Sequence, residues 1–348
     1  TNNESLAAKR SPVKTPFRLT KQSVNDHEVL ALTSNNNESY KLAFKAMQEG
    51  TKVFRIAEKS SAGDKAYPAG SFFVRRNELP EGFLKDVRVI PDRINRIPTT
   101  AKAVELPETG LVESHFHDMD AGWTRYIFDT YHIPYKVYHP DALKEGELRK
   151  EIDLLVFPGE RKSILMKGKY KSSGGYHSTT YPPEFTKGME QEGLNNVIRF
   201  LHNGGKILAW GRSVALFEGS LKHRKDDEVK ETFRLPFQNI SDQLKKQKDL
   251  YGPGALLQME LKPEHPLTYG CPEQVGVLYN ARSVFETSIP HFDMDRRVIG
   301  RFPDEKLLLS GYGEGLEALE QQPAMVWLKK GKGELVFYGF NPQFRAST

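Results

Sequence analysis

The side chains of this sequence that could do chemistry gather in three places. The first is His115-Phe116-His117-Asp118-Met119-Asp120, where alternate histidines share one face of an extended strand and two carboxylates follow. Imidazoles so placed could hold a transition metal, with the aspartates adding oxygen ligands. The bland reading has Asp118 or Asp120 capping a helix. The second place is Cys271, the lone cysteine, in Tyr-Gly-Cys-Pro-Glu. It is a nucleophile only if His265 folds beside it, and a structural turn residue otherwise. The third is Gly211-Arg212-Ser213, where an apolar strand turns into a helix. Ser213 lacks both glycines of Gly-x-Ser-x-Gly, so an N-cap serine is preferred to a nucleophile.

Binding without chemistry needs a different set. The Asp120–Arg125 turn, the loop after Gly159 with Gly174, Gly175 and His177, and the segment Asn341–Arg345 are expected to converge at one sheet edge. Arg125 and Arg345 offer bidentate donors suited to a carboxylate, and Trp123 an aromatic wall. Asp120, Gly159, Gly174, Gly175 and Gln343 complete the candidate ligand-binding set. The competing reading pairs both arginines with Asp118 or Asp120 in a structural knot. It is preferred, because each arginine has an acid at hand.

The elements that must position these residues follow from periodicity. The run Leu111–Phe116 reads as a strand, and Trp123, Ile127, Phe128 and Tyr131 recur at helical spacing after it. Strands are expected at Pro134–His139, Asp153–Pro158 and Lys206–Trp210, the last two apolar enough to be buried in a parallel sheet. A short helix is expected at Leu143–Arg149 and a longer one at Thr186–His202, stopped by Asn203-Gly204-Gly205. The repeated strand–helix order predicts a doubly wound, flavodoxin-like α/β sheet. Beyond Gly219 come a charged segment, shorter strands, and a hairpin of Met325–Leu328 with Glu334–Phe340. Upstream, Glu28–Ser34, Ser39–Gln48, Thr51–Glu58 and Gly70–Arg76 alternate strand and helix, and Leu79–Val89 reads as a short helix. The expected organisation is a tail at 1–23, a small α/β domain at 24–106 and the doubly wound domain at 107–348. The Gly/Ser/Tyr-rich stretch Lys171–Pro183 is too long for an idle connector and is read as functional. The basic run Arg161–Lys171 is read as a solvated loop.

Composition narrows the function classes. Hydrophobic residues make up 38% of the 348 and charged residues 27%, which is globular. A formal charge of +5, with lysine and arginine scattered among acids, gives no nucleic-acid footprint. One cysteine excludes an internal disulfide and a cysteine-rich zinc site. No run approaches the roughly 18 apolar residues of a membrane span, and the first residues carry no signal-peptide pattern.

Asp120-Ala121-Gly122-Trp123-Thr124-Arg125, Asp153–Gly159, the Asn203-Gly204-Gly205-Lys206 to Ser213 unit and Pro342-Gln343-Phe344-Arg345 together resemble one known arrangement. It is the region after the catalytic domain in bacterial zinc carboxypeptidases of the carboxypeptidase A-like family, a class I glutamine amidotransferase-like domain. The resemblance runs from about Tyr40 to the end. It implies an accessory or ligand-binding module, a peptidase domain upstream as partner, a peptide-like ligand, and export to the periplasm or outside. Zinc would belong to that absent domain, since nothing here matches its His-x-x-Glu signature; this chain is expected to hold no cofactor. Class I amidotransferases carry a nucleophilic cysteine on a strand-to-helix elbow, and Gly211 stands at that position here. The alternatives are an independent amidotransferase-like hydrolase using the elbow or Cys271, and a metal-dependent hydrolase on His115 and His117.

Overall fold

A computed structural model describes residues 28–86, 88–116, 118–177, 181–225, 228–280, 283–291 and 293–346. The expected tail at 1–23 and His117 lie outside these residues. Five parallel strands form one half of a ten-stranded sheet: β1 (Thr109–Val112), β2 (Lys136–Tyr138), β3 (Leu154–Phe157), β4 (Lys206–Trp210) and β5 (Gly333–Tyr338). Their spatial order is 2-1-3-4-5, with every neighbouring pair parallel. That is the flavodoxin-like order, and its switch point lies between β1 and β3. The order of winding reverses there, and in sheets of this order ligands bind at the carboxyl edge, where the loops leaving these two strands part.

Side-chain alternation explains why these strands are buried on both faces. Leu155 and Phe157 of β3, with Ile207 and Ala209 of β4, enter one core with helix α2 (Glu190–His202). Leu154 and Val156, with Leu208 and Trp210, join Leu111 on the other face. Each such fully buried Leu or Phe contributes roughly 1.5–3 kcal/mol. The buried Asn196 of α2 donates to the carbonyls of Leu143 and Lys144 at 3.1 and 2.6 Å, fixing the helix to the turn after β2.

The sheet continues past β5 with antiparallel strands Pro323–Lys330, Met294–Arg301, Ala255–Leu261 and Gln274–Tyr279, and Leu308–Ser310 branches from the third of these. The sheet is thus mixed, its antiparallel half beginning at the expected hairpin of Pro323–Lys330 with Gly333–Tyr338. Successive hairpin turns, such as Lys330-Gly331 with Gly331 at φ +57°, add antiparallel strands where no crossover helix intervenes.

Upstream, Asp92–Ile94, Val29–Leu32, Phe72–Arg75, Val53–Arg55 and Lys102–Val104 form a five-stranded sheet, antiparallel at every pairing. Helix Asn37–Gln48, capped by the Asn36 side chain, buries Leu42, Ala43 and Ala46 on one face of it. The hairpin Ser60–Ala62 with Lys65–Tyr67 contributes Ala62 and Tyr67 to the other. This sheet is keyed to the larger one: the Tyr40 hydroxyl donates to the Tyr269 carbonyl and the Tyr269 hydroxyl to the Ala57 carbonyl, each at 2.8 Å.

Three local expectations, a loop at Lys171–Pro183, a loop at Arg161–Lys171 and a helix at Leu79–Val89, are corrected. The long Gly/Ser/Tyr stretch holds the hairpin Tyr170–Ser172 with Gly175–His177, and the basic run before it includes the helix Lys162–Lys167. The charged segment after Gly219 pairs as Ser220–Lys225 with Glu228–Arg234. Among the described residues of 79–89, Phe83–Asp86 forms a short 3-10 turn rather than a regular helix.

Candidate functional site

The switch point between β1 and β3 is bounded by the loops after β1, β3 and β4 and by the first turn of the helix Met119–Tyr131. After β1, Ser114 donates its hydroxyl to Glu160 Oε2 at 2.8 Å, bridging the two strand ends at the switch point. After β3, Glu160 also accepts from the Arg161 N–H through Oε1 at 2.6 Å. After β4, the chain turns sharply at Gly211, whose φ of +58° is left-handed. A β-carbon there would lie 3.4 Å from the Gly159 α-carbon, so a side chain at this elbow would lean on the β3 loop. The expected elbow therefore exists, and its apex residue has no reactive atom. Ser213 is not the N-cap, a position that Trp210 occupies. Fully buried, Ser213 donates to the Pro158 carbonyl and accepts from the Glu160 N–H at 2.9 Å, stapling the β3 loop to the elbow. Ser283 holds the elbow from the other side through the Gly211 carbonyl, at 2.9 Å.

The fourth wall is the first turn of helix α1 (Met119–Tyr131). Asp118 caps it, its Oδ1 accepting from the Ala121 N–H at 3.0 Å. Its other oxygen is buried without a hydrogen-bond partner. Burial pushes this carboxyl up to about 7, and the charges of Glu160, Asp120 and Glu113 add to the rise against the Ala121 N–H. The Asp120 carboxylate lies against Gly159, where any β-carbon would strike it. Gln343 comes from the end of the chain to donate to the Asp120 carbonyl at 3.0 Å and to Thr124 Oγ1 at 3.2 Å. Its carbonyl oxygen and the Trp210 indole N–H are likewise buried without partners. An unmatched buried polar atom costs about 1–3 kcal/mol, so three around one helix turn are a pronounced local deficit.

The sequence-derived candidates thus divide. Asp120, Gly159 and Gln343 meet at the crevice. Gly174 and Gly175 stand at an exposed hairpin turn with no atom of another segment near their α-carbons. Trp123 is half-buried and edge-on to Tyr126, with ring centroids 5.7 Å apart, rather than a crevice wall. The expected pairing of Arg125 with Asp118 or Asp120 is corrected: it reaches Glu113 at 3.3 Å, with the Tyr135 hydroxyl beside it. Arg345 is exposed, with its guanidinium over the Phe344 ring. His115 stacks on His139 at 3.7 Å and abuts Phe185, and burial followed by His139 lowers its pKa. Among the described residues no group of three or more His, Cys, Asp or Glu side chains is placed to hold a metal ion. Cys271 is exposed in the joint between the two sheets. His265 does not serve it: its Nδ1 accepts from the Leu267 N–H at 3.3 Å and its ring tilts onto Trp327.

Sequence reasoning missed Glu160, Ser114 and Trp210. The signal for the first was available, an acid directly after the Pro158-Gly159 strand stop. Trp210 was hidden by reading as the last core residue of an apolar strand.

No family model matches the chain, and no curated protein matches it. Solved structures similar to it include a ThuA-like protein from Bacteroides uniformis, at 9% identity and TM-score 0.34, covering 69% of this chain and 84% of that one. A protein described as a GMP synthase subunit from Thermoplasma acidophilum gives 9%, 0.35, 68% and 85%. A glutamine amidotransferase from Thermotoga maritima gives 12%, 0.35, 67% and 75%. The fold assignment rests on the strand order and direction of the sheet itself.

Proposed function

We propose that this chain is a non-catalytic accessory module with an amidotransferase-like sheet, which supports or regulates a zinc carboxypeptidase-like domain and receives a small peptide-like ligand at its switch-point crevice. The observation that carries this reading is Gly211, a residue without a side chain at the apex where a nucleophile would have to sit. Its backbone conformation suits glycine, and its neighbours Ser213 and Ser283 are committed to holding loops. The carboxypeptidase parentage, and with it export, draws on the Asp-x-Gly-Trp-Thr-Arg and Pro-Gln-Phe-Arg segments alone.

The test is direct. The purified chain is incubated with glutamine and with a series of peptides, with and without added zinc, and ammonia and free amino acids are followed. No turnover is expected. Steady release that disappears in Cys271→Ala would overturn the reading in favour of an amidotransferase-like enzyme, and zinc-dependent release lost in His115→Ala would favour a metallohydrolase. Reading the coding frame on either side of this segment tests the parentage, which a zinc carboxypeptidase domain there would support.

A further inference from the structure

We propose that the arm following β3, residues 161–177 and 181–187, is a docking surface for single-stranded nucleic acid. Its cations would pair with phosphates and its exposed rings would stack on bases.

The charge is concentrated in this arm. Arg161, Lys162, Lys167, Lys169, Lys171 and Lys187 stand against one acid, Glu184, so these segments carry a net +5, the same as the whole chain. All six cations are exposed. None pairs with a described acid, although the charge of Lys162 is felt at Glu218. The flanking acids are engaged elsewhere, Glu160 with Ser114 and Glu190 with Lys144. The mixture of charge along the chain as a whole hides this surface, because the acids that balance the other cations lie outside it. Six like charges on one short arm repel one another, and a polyanion laid across them relieves that repulsion.

The fold then brings rings to the cations. Helix Lys162–Lys167 ends at Gly168, whose φ of +64° leads the chain toward the hairpin Tyr170–Ser172 with Gly175–His177. A β-carbon at Gly168 would stand 2.5 Å from the Lys187 nitrogen, so the two segments lie backbone to backbone. Pairing of Tyr170 with His177 and of Lys171 with Tyr176 gives the hairpin two faces. On one face Tyr170 stacks on His177 at 5.8 Å, carries the Arg161 guanidinium 5.4 Å from its centroid and packs on Phe116 at 5.2 Å. Phe116 packs in turn on Tyr181 at 4.7 Å. On the other face the Lys171 ammonium lies 5.9 Å from the Tyr176 centroid. Tyr176, Tyr181 and Phe185 are 53%, 37% and 40% exposed, so the buried Phe116 anchors an aromatic surface whose outer rings remain in solvent.

Charge and rings together select the occupant. Duplex nucleic acid offers phosphates but hides its bases in the stack. An acidic polysaccharide offers charge without flat unsaturated rings, and an anionic membrane offers no ring. A single strand offers one phosphate and one flat ring per nucleotide, which matches cations interleaved with aromatic side chains.

The intact chain is titrated into fluorescein-labelled oligothymidylate of about twelve nucleotides, and anisotropy is followed from about 50 to 200 mM salt. A duplex of equal length and polygalacturonate are added as competitors, and phosphatidylglycerol vesicles are tested by co-sedimentation. Oligothymidylate is expected to bind, with a slope of log affinity against log salt of about −3.5 to −4 for five or six phosphates neutralised. Lys171→Ala should flatten that slope by about 0.7, and Tyr176→Ala should weaken binding about fivefold or more at unchanged slope. Both positions are exposed on the hairpin, so neither change touches the core of the sheet. No binding at the lowest salt overturns the proposal, as do duplex, polygalacturonate or vesicles bound as tightly as the single strand. Wild-type affinity and slope in both variants overturn it as well.

Discussion

Replacing Asp118 with asparagine should make the protein more stable at alkaline pH. The side chain keeps its cap acceptor, and asparagine caps helices about as well as aspartate. What is removed is a carboxyl whose folded pKa stands at about 7 against an ordinary 3.8. A folded value above the unfolded one means that the native state binds the proton more tightly. Its contribution is therefore full below about pH 4 and is lost as pH rises through about 7. The shift corresponds to about 4 kcal/mol once both states are ionised, of which about 2.5 kcal/mol is lost between pH 5 and pH 8. Against this stands the loss of a negative charge at the α1 N-terminus, about 0.3–1 kcal/mol. Urea unfolding of both proteins across this range gives the difference directly, because all other titrating groups are shared. The variant should gain on the wild type by about 2 kcal/mol from pH 5 to pH 8. Two curves that run parallel to within about 0.5 kcal/mol would show that Asp118 is solvated and would remove the electrostatic basis of the crevice.

Other substitutions probe the same walls. Gly159→Ala puts a methyl group into the Asp120 carboxylate and should cost about 1–3 kcal/mol, read as a lower urea midpoint at unchanged slope. Gln343→Ala removes two hydrogen bonds to α1 but also an unpaired buried oxygen, so a net loss of about 1 kcal/mol is expected, with faster amide exchange confined to the first turn of α1. Arg125→Ala removes a solvent-exposed pair with Glu113 and a contact with the Tyr135 hydroxyl, and should change stability by less than about 1 kcal/mol, measured by the same unfolding assay. Leu155→Ala, in the fully buried centre of β3, should cost about 2–5 kcal/mol and serves as the reference for a core defect.

The parallel half of the sheet was legible because its strands are short apolar runs stopped by glycine or proline. Leu154–Phe157 and Lys206–Trp210 were placed to within a residue by that pattern alone. Helix α2 began later than expected, at Glu190, because 186–189 packs against the end of the helix Lys162–Lys167, with Gly188 close to the Met166 backbone and the Met189 N–H donating to the Leu165 carbonyl at 2.8 Å. The hairpin at Tyr170–His177 was missed because exposed strands need no apolar alternation. The apolar stripe expected on α1 was misassigned for a related reason. Its fully buried residues are Ala121 and Thr124, small enough for close approach, while Trp123, Ile127, Phe128 and Tyr131 are only half-covered. Of the candidate site, sequence supplied Asp118, Asp120, Gly159 and Gln343. The partner of Arg125 could not be read, because Glu113 becomes its neighbour only once β1 and α1 are folded against each other.

The elbow after β4, with a glycine at its apex, has not relaxed into an ordinary turn. Gly211 remains left-handed, and two buried hydroxyls, Ser213 and Ser283, tie the strand ends on either side of it. Hydrogen bonds of that kind contribute about 1 kcal/mol each, enough to fix the loops but no reason to leave three polar atoms unmatched beside them. A crevice kept for stability alone would be better filled, since apolar replacements for Asp118, Trp210 and Gln343 would remove the deficit. Rigid loops around incompletely satisfied polar groups are instead what a binding site requires before its ligand arrives, because the ordering entropy is spent in folding rather than in association. The unmatched polar atoms around β1 and β3 thus fit the proposed binding role better than a purely structural one.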